Sequence, residues 1–191
     1  MAPESGDHLE PDLAVQYREA TEHHADAIAA LHADSWRRHY RGAYLDSYLD
    51  GDILSERRER WTLRLKPPRL NQLTVCAEID GDVVGFSHTL FDHDPHWGAL
   101  LDNLHVRSDL KGAGIGTRLL SIAAQELVRS RPSQSLYLWV LEQNTPAQAF
   151  YDERGGTRME TMLRGPFPGG GLAVGHRYFW PDPQSLLTGR S

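Results

Sequence analysis

The stretch Val106-Arg107-Ser108-Asp109-Leu110-Lys111-Gly112-Ala113-Gly114-Ile115-Gly116-Thr117-Arg118 decides how the chain is read. A nearly apolar run, Leu100 to Val106, leads into it. Ile115 to Val128 follows, with Leu119, Leu120, Ala123, Ala124 and Leu127 at helical spacing. A strand therefore ends, glycines cluster, and a helix begins. Amides at such a start, with no Cβ in the way, hold anions by hydrogen bonds and the positive end of the helix dipole. A dinucleotide-binding Rossmann turn fits poorly, because Thr117 stands where that pattern needs glycine and the unit lies late in the chain. A P-loop requires a closing Gly-Lys-Ser/Thr triplet, which is absent. A glycine-bearing helix start that merely permits close packing is the plainest alternative.

Downstream, Leu136 to Leu141 is apolar throughout, as suits a central strand covered on both faces. Thr145, Pro146 and Gln148 then spell a helix start: cap, proline at N1, and a glutamine at N3 reaching back. Asn144 precedes that cap, which leaves its side chain for a ligand, and Gly155 or Gly156 supplies the stop. Thr157–Leu163 and Val174–Trp180 read as two closing strands, with Pro181 and Pro183 ending the ordered fold.

Upstream, Thr74–Ile79 and Val83–Leu90 alternate around Asp80-Gly81, the strongest short hairpin signal. Ala14–Arg18 reads as a first strand. Thr21 is a cap candidate without the Glu or Gln of a capping box, and Ala25, Ile28, Ala29, Leu31 and His32 form a helical stripe. A second helix runs from about Leu45 to Lys66, stopped by Pro67-Pro68. The order is strand, two helices, three strands, helix, strand, helix, two strands. That predicts an α/β fold on a mixed sheet, with about seven strands and about four helices. Residues 1–12 read as a disordered lead-in, 13–182 as one domain, and 183–191 as a flexible tail.

With 191 residues, the chain is long enough to fold without disulfides or metal. A single cysteine, Cys76, fits a reducing cytoplasm. A net charge of −6 argues against nucleic acid as a partner, and no apolar run approaches a membrane span. The same acidity implies that any phosphate-rich ligand must meet a locally positive or dipolar site. Arg107, Lys111 and Arg118 bring three cations near one turn.

The segment from Leu104-His105-Val106 through Lys111-Gly112-Ala113-Gly114-Ile115-Gly116 resembles the coenzyme A loop of the GNAT superfamily, the acetyl-CoA-dependent N-acyltransferases. Lys111 departs from the usual Gln or Arg: it keeps a charge and loses the fork geometry. Asn144-Thr145-Pro146-Ala147-Gln148-Ala149-Phe150-Tyr151, with Gly155, is similar to the second signature of that superfamily, at the right spacing. Ser35-Trp36-Arg37 and Tyr40-Arg41-Gly42, ahead of Tyr48-Leu49-Asp50, resemble a bacterial subgroup.

The resemblance implies an N-acetyltransferase that moves the acetyl group of acetyl-CoA directly to a primary amine of a small molecule or peptide N-terminus, in a ternary complex. It implies a donor site of Leu104, His105 and Val106, the loop Lys111, Gly112, Ala113, Gly114, Ile115, Gly116, Thr117 and Arg118, and then Asn144, Ala147 and Phe150. Tyr151 matches the family tyrosine that protonates the leaving sulfur. A tyrosine packed on the sheet with a wetted hydroxyl is the ordinary alternative. Family members place a glutamate base where Leu100 stands. Strand alternation puts Asp102 on the face of Leu100, Leu104 and Val106, so Asp102 is read either as a base or as the partner of an arginine. His105, on the other face, is a base candidate only if that face lines the acceptor cleft. An acyl-CoA-binding sensor without chemistry is the rival reading. No metal or membrane is called for, a homodimer is compatible, and the acid surface leans toward cationic acceptors.

Other conspicuous residues read as structural. His88, His93 and His96, with Asp92 and Asp94, lack metal-ligand spacing and read as a polar loop that, with Trp97, borders the acceptor at most. Trp36 reads as core, and Cys76 as a small buried hydrophobe. Arg57-Arg58-Glu59-Arg60 reads as a solvated helix face.

Overall fold

Asp80 and Gly81 both take positive φ, 51° and 88°, as a two-residue type I′ hairpin demands. They join β2 (Gln72–Ile79) to β3 (Asp82–Asp94). β1 (Gln16–Glu19) lies antiparallel beyond β2, and β4 (Gly98–Val106) lies antiparallel beyond β3. The chain then crosses over through α4 (Ile115–Ser130) to β5 (Leu136–Leu141), the parallel neighbour of β4. β6 (Thr157–Arg164) and β7 (Ala173–Trp180) close a seven-stranded sheet of order β1-β2-β3-β4-β5-β7-β6. This computed structural model describes residues 14–66, 71–168 and 170–188. The lead-in expected over 1–12, the Pro67-Pro68 stop, Gly169 and the last three residues lie outside them.

Among the described residues, five α-helices stand where about four were expected. α1 is Ala25–His39, α2 Asp46–Leu49, α3 Ile53–Leu65 and α5 Thr145–Glu153. The expected Leu45–Lys66 helix is broken because Asp52 turns out as an N-cap, its carboxylate accepting from the Ser55 amide at 3.3 Å. In the 3₁₀ turn Glu22–His24 that leads into α1, His24 supplies the missing half of the capping box, its Nδ1 accepting from the Thr21 amide at 2.9 Å. The chain stays ordered past Pro181: Pro183 is buried and opens a 3₁₀ turn, Pro183–Leu186, that packs against α4.

The helices divide between the faces. α1 and α3 cover one side, where Ile28, Ala29, Trp61, Cys76 and Phe86 form one core. α4 and α5 cover the other, where Leu120, Ala123 and Leu127 meet Ala99, Leu101, Leu138 and Tyr151. Each fully buried large apolar side chain contributes roughly 1.5–3 kcal/mol. That burial holds two sheet halves whose junction is the site.

Candidate active site

β4 and β5 pair only at Ala99–Leu136 and Leu100–Tyr137. Beyond Leu100 the two strands part, and a cleft of about 400 Å³ opens between them. Leu104, His105 and Val106 line it from β4, Leu138 and Val140 from β5, and Tyr151 from α5. The cleft is therefore built from main chain that a regular sheet would have paired.

The glycine loop forms its far end. Gly112 and Gly114 have φ of 89° and 78°, conformations that L side chains rarely adopt, with open space where a Cβ would stand. Gly114 caps α4 without a side-chain hydrogen bond, and the first turn of α4 holds no acidic residue. Its leading amides thus face the cleft without a side-chain acceptor of their own. Lys111, Gly112, Gly114, Ile115, Gly116 and Thr117 all line the cleft, whereas Ala113 and Arg118 do not. The Arg118 amide bonds to Gly114 O at 3.0 Å and the Ala113 amide to Leu110 O at 3.3 Å, so both serve the loop itself.

The cations also differ from expectation. Arg107 bonds to Asp109 at 2.8 Å, away from the lining. The cleft is lined instead by Lys111, which donates to His39 Nε2 at 2.9 Å, and by Arg154. Arg154 stacks over the Phe150 ring at 3.7 Å and donates to Thr117 Oγ1 at 2.6 Å, tying α5 to α4. Sequence reading passed over Arg154, although it directly precedes the stop glycine.

Asn144, rather than Thr145, caps α5: its Oδ1 accepts from the Ala147 amide at 3.4 Å. Gln148 reaches back as expected, but to the carbonyls of Leu141 and Glu142, at 3.2 and 2.6 Å. Asn144, Ala147 and Phe150 line the cleft. Tyr151 is nearly buried against Tyr178 and Trp180, and burial first, then Tyr40 opposite, raises its pKa well above the usual phenol. Tyr40 is itself pushed up to about 12, again chiefly by burial. Two protonated phenols thus flank the cleft at neutral pH.

Asp102 is displaced from the face expected of it. Thr89 opposes Leu101 and His88 opposes Asn103, so Asp102 is the extra residue of a β-bulge. The bulge shifts the alternation: Ala99 and Leu101 face α4 before it, and Leu104 and Val106 do so after it. Asp102 turns instead to α3, where its carboxylate meets Arg64 Nη2 at 2.8 Å and accepts from Asn103 Nδ2 at 2.8 Å. It is paired with an arginine rather than set among apolar side chains. Even so, it lines both the β4–β5 cleft and a second cavity, of about 260 Å³. Tyr40, Asn103, Trp139 and Val140 are shared in the same way, so the two cavities meet at Asp102.

The second cavity is cationic and aromatic. Arg57, Arg60, Arg64 and Arg164 line it together with Trp36, Tyr44 and Phe167. Arg57 belongs to the run read as a solvated face, yet its side chain is only 2% exposed, stacked 4.3 Å over Trp36 and paired with Glu56. A signal was present: 57, 60 and 64 fall on one helical face, beside the buried Ile53, Arg57 and Trp61 stripe. Burial lowers the pKa of Arg64 against the opposing pull of Asp102, and burial with neighbouring Arg177 lowers that of Arg164.

His105 lines the β4–β5 cleft on the side of α1, with its Nδ1 at 2.8 Å from Ser35 Oγ. Burial, then the charge of His39, pulls its pKa down to about 4, so the ring is neutral near pH 7. His88 is buried within β3, its Nδ1 at 2.8 Å from Thr74 Oγ1, and β3 continues as strand through Asp92 and Asp94. No group of three metal-binding side chains occurs among the described residues. Trp97 lines neither cavity and lies 4.1 Å from the Arg177 guanidinium. Cys76 is fully buried, its thiol pushed up to about 12 by burial. Among the described residues no helix is long and apolar enough to cross a membrane.

The model of the acetyltransferase (GNAT) family matches residues 25–156. The protein named "Probable N-acetyltransferase Rv2775" of Mycobacterium tuberculosis is 33% identical over 132 residues, covering 66% of this chain and 71% of its own. "Uncharacterized N-acetyltransferase YuaI" of Bacillus subtilis is 29% identical over 177 residues, covering 91% and 97%. The fold is shared with the PaiA N-acetyltransferase of Thermoplasma acidophilum, solved in complex with coenzyme A. The TM-score is 0.67 at 20% identity, over 86% of this chain and 99% of that one. The chain belongs to the GNAT family and is an acetyltransferase.

Proposed function

We propose that the protein transfers the acetyl group of acetyl-CoA directly to a primary amine of a small molecule or peptide N-terminus, both substrates being bound together. The meeting of two cavities at Asp102 carries this reading, since each substrate has its own chamber and the chambers share one wall. The donor cleft suits coenzyme A: the uncapped start of α4 and its positive-φ glycines offer amides to a pyrophosphate, with Lys111 and Arg154 nearby. The unpaired edge of β4 at Leu104 to Val106 offers main-chain donors and acceptors to an extended arm. An amide there can also polarise the thioester carbonyl.

Asp102 is assigned the amine proton and Tyr151 the leaving sulfur. The amine nitrogen bonds to the thioester carbon as the carbon–sulfur bond breaks. Asp102 accepts a proton from nitrogen, Tyr151 gives one to sulfur, and bulk water restores both residues. The raised pKa of Tyr151 supports a donor that is protonated at neutral pH. Arg64 holds the Asp102 carboxylate at the junction. A lysine-like amine of pKa ~10.4 is neutral in about one molecule in a few thousand at pH 7, so proton removal and positioning dominate the barrier.

Thiol release from acetyl-CoA against a broad amine panel tests the reading. Turnover with at least one amine supports it. Tight coenzyme A binding with no turnover on any amine favours a sensor and overturns it.

A further inference from the structure

The lining of the second cavity carries four arginines and one carboxylate, Asp102, in a protein of net charge −6. Glu56, behind the lining, is the counter-ion of Arg57 and lies 3.7 Å from Arg60. Arg64 is matched by Asp102. Arg164 makes no ion pair among the described residues and rests 4.1 Å over Trp139, a ring that it shares with Arg177 at 4.6 Å. Arg177 has its own carboxylate, Glu160, at 2.6 Å. Crowding cations into a half-buried chamber is unfavourable unless an anion joins them.

A second, independent group points the same way. The Trp61 indole can only donate, and it donates to His32 Nδ1 at 3.0 Å. The His32 ring is therefore neutral and carries its proton on Nε2, as its strongly lowered pKa requires. That Nε2 is buried and has no hydrogen-bond partner, on a residue that lines the cavity. A buried donor with no acceptor is rare in native folds.

We propose that the acceptor is a small amine that also carries an oxyanion, a free amino acid being the simplest case: the arginines take the oxyanion and Asp102 faces the amine. This rests on the acyl-transfer reading above and narrows it. The polarity of the chamber orients such a molecule, because its negative end is drawn to Arg60 and Arg164 and its positive end to the junction with the donor cleft. Trp36, Tyr44 and Phe167 cover the carbon between them. The acceptor site opposes the acidic surface, so the cationic acceptors suggested by net charge are disfavoured within it.

Matched amines test the proposal. Thiol-release rates are measured for free amino acids with aliphatic, aromatic, acidic and basic side chains. Each is paired with its amide, its decarboxylated amine and its aminophosphonate, with spermidine as a polycation. The expected result is a kcat/KM for the best carboxylate or phosphonate at least about tenfold above its neutral partners. The carboxylate and phosphonate arms tell which oxyanion shape is preferred. Arg164→Met and Arg60→Gln should each narrow that gap, acting through KM. Equal rates, or a preference for spermidine, overturn the inference while leaving acyl transfer intact. Calorimetric binding of N-acetyl amino acids against their amides gives a readout that needs no turnover. Preference for the charged product without any turnover keeps the oxyanion-binding chamber but defeats acyl transfer, and with it the acceptor role. No charge preference in either measurement defeats this inference.

Discussion

The cleft proposed for the donor and the chamber proposed for the acceptor share a wall but are built from different materials. The donor cleft is a backbone structure: a parted strand edge, an uncapped helix start, and glycines held at positive φ. The acceptor chamber is mainly a side-chain structure, in which α1 with the turn after it, α3, β4, β5 and the β6–β7 segment each contribute two to four residues. On the proposed reading, main chain recognises what every donor of one kind has in common. Side chains drawn from five places recognise what distinguishes one acceptor from another.

The comparison breaks most clearly at Tyr151, on the donor side alone, and at Tyr40 and Asp102, on the shared wall. Tyr151→Phe is expected to lower kcat about a hundredfold or more, with the KM for acetyl-CoA little changed. Tyr40→Phe, at the phenol opposite, should have the smaller effect on kcat. The reverse order in steady-state kinetics would move the acid to Tyr40. Asp102→Asn is expected to lower kcat/KM by about a hundredfold and to alter the acidic limb of the pH–rate profile. An unchanged acidic limb removes Asp102 as the proton acceptor.

A backbone site should be sensitive to conformation and tolerant of side-chain loss. Gly114→Val places a β-branched residue at φ 78°, a strain of roughly 1–2 kcal/mol. The expected outcome is a KM for acetyl-CoA raised about tenfold. Lys111→Ala, at a side chain that holds His39, should raise it only two- or threefold, on the order of a surface charge. Equal effects from the two variants would mean that side chains hold the donor after all.

This division explains what could be read in the sequence. The Asp80-Gly81 hairpin, the glycine loop and the Pro146 helix start announce themselves because special backbone geometry demands special residues at fixed spacing. The acceptor chamber had no such local signature. Arg57, Arg64 and Arg164 read as ordinary surface residues until tertiary packing turns them wholly or partly inward, with Arg60 left exposed at the rim, and His32 looks like one more member of an apolar stripe. Caps were half readable. Asp52, Asn144 and His24 each outcompeted a neighbour or a missing residue by a single hydrogen bond, worth about 1 kcal/mol and invisible to periodicity. The bulge at Asp102 was unreadable for another reason, since one extra residue leaves strict alternation looking plausible on either side of it.

The smallest expected effect concerns pH and stability rather than rate. His105 titrates near 4 in the fold, against about 6.5 when unfolded, and His32 is held lower than usual as well. Between those values the unfolded chain binds more protons, so stability is full above about pH 6.5 and declines as pH falls toward 4. Urea unfolding followed from pH 7 to 4.5 should show this decline, with a shallower slope in His105→Gln. An identical slope would take His105 out of the balance and leave the decline to His32.

The bulge has a consequence for what the fold requires. Counted by the side chains that face α4, β4 runs Ala99, Leu101, Leu104, Val106, and removing Asp102 would restore strict alternation with all four still turned to the same helix. In architectural terms Asp102 is supernumerary: the sheet would be more regular without it. A chain lacking it should fold with its core intact and fail as an enzyme. The residue that the scaffold could discard is one of the five at which both chambers meet.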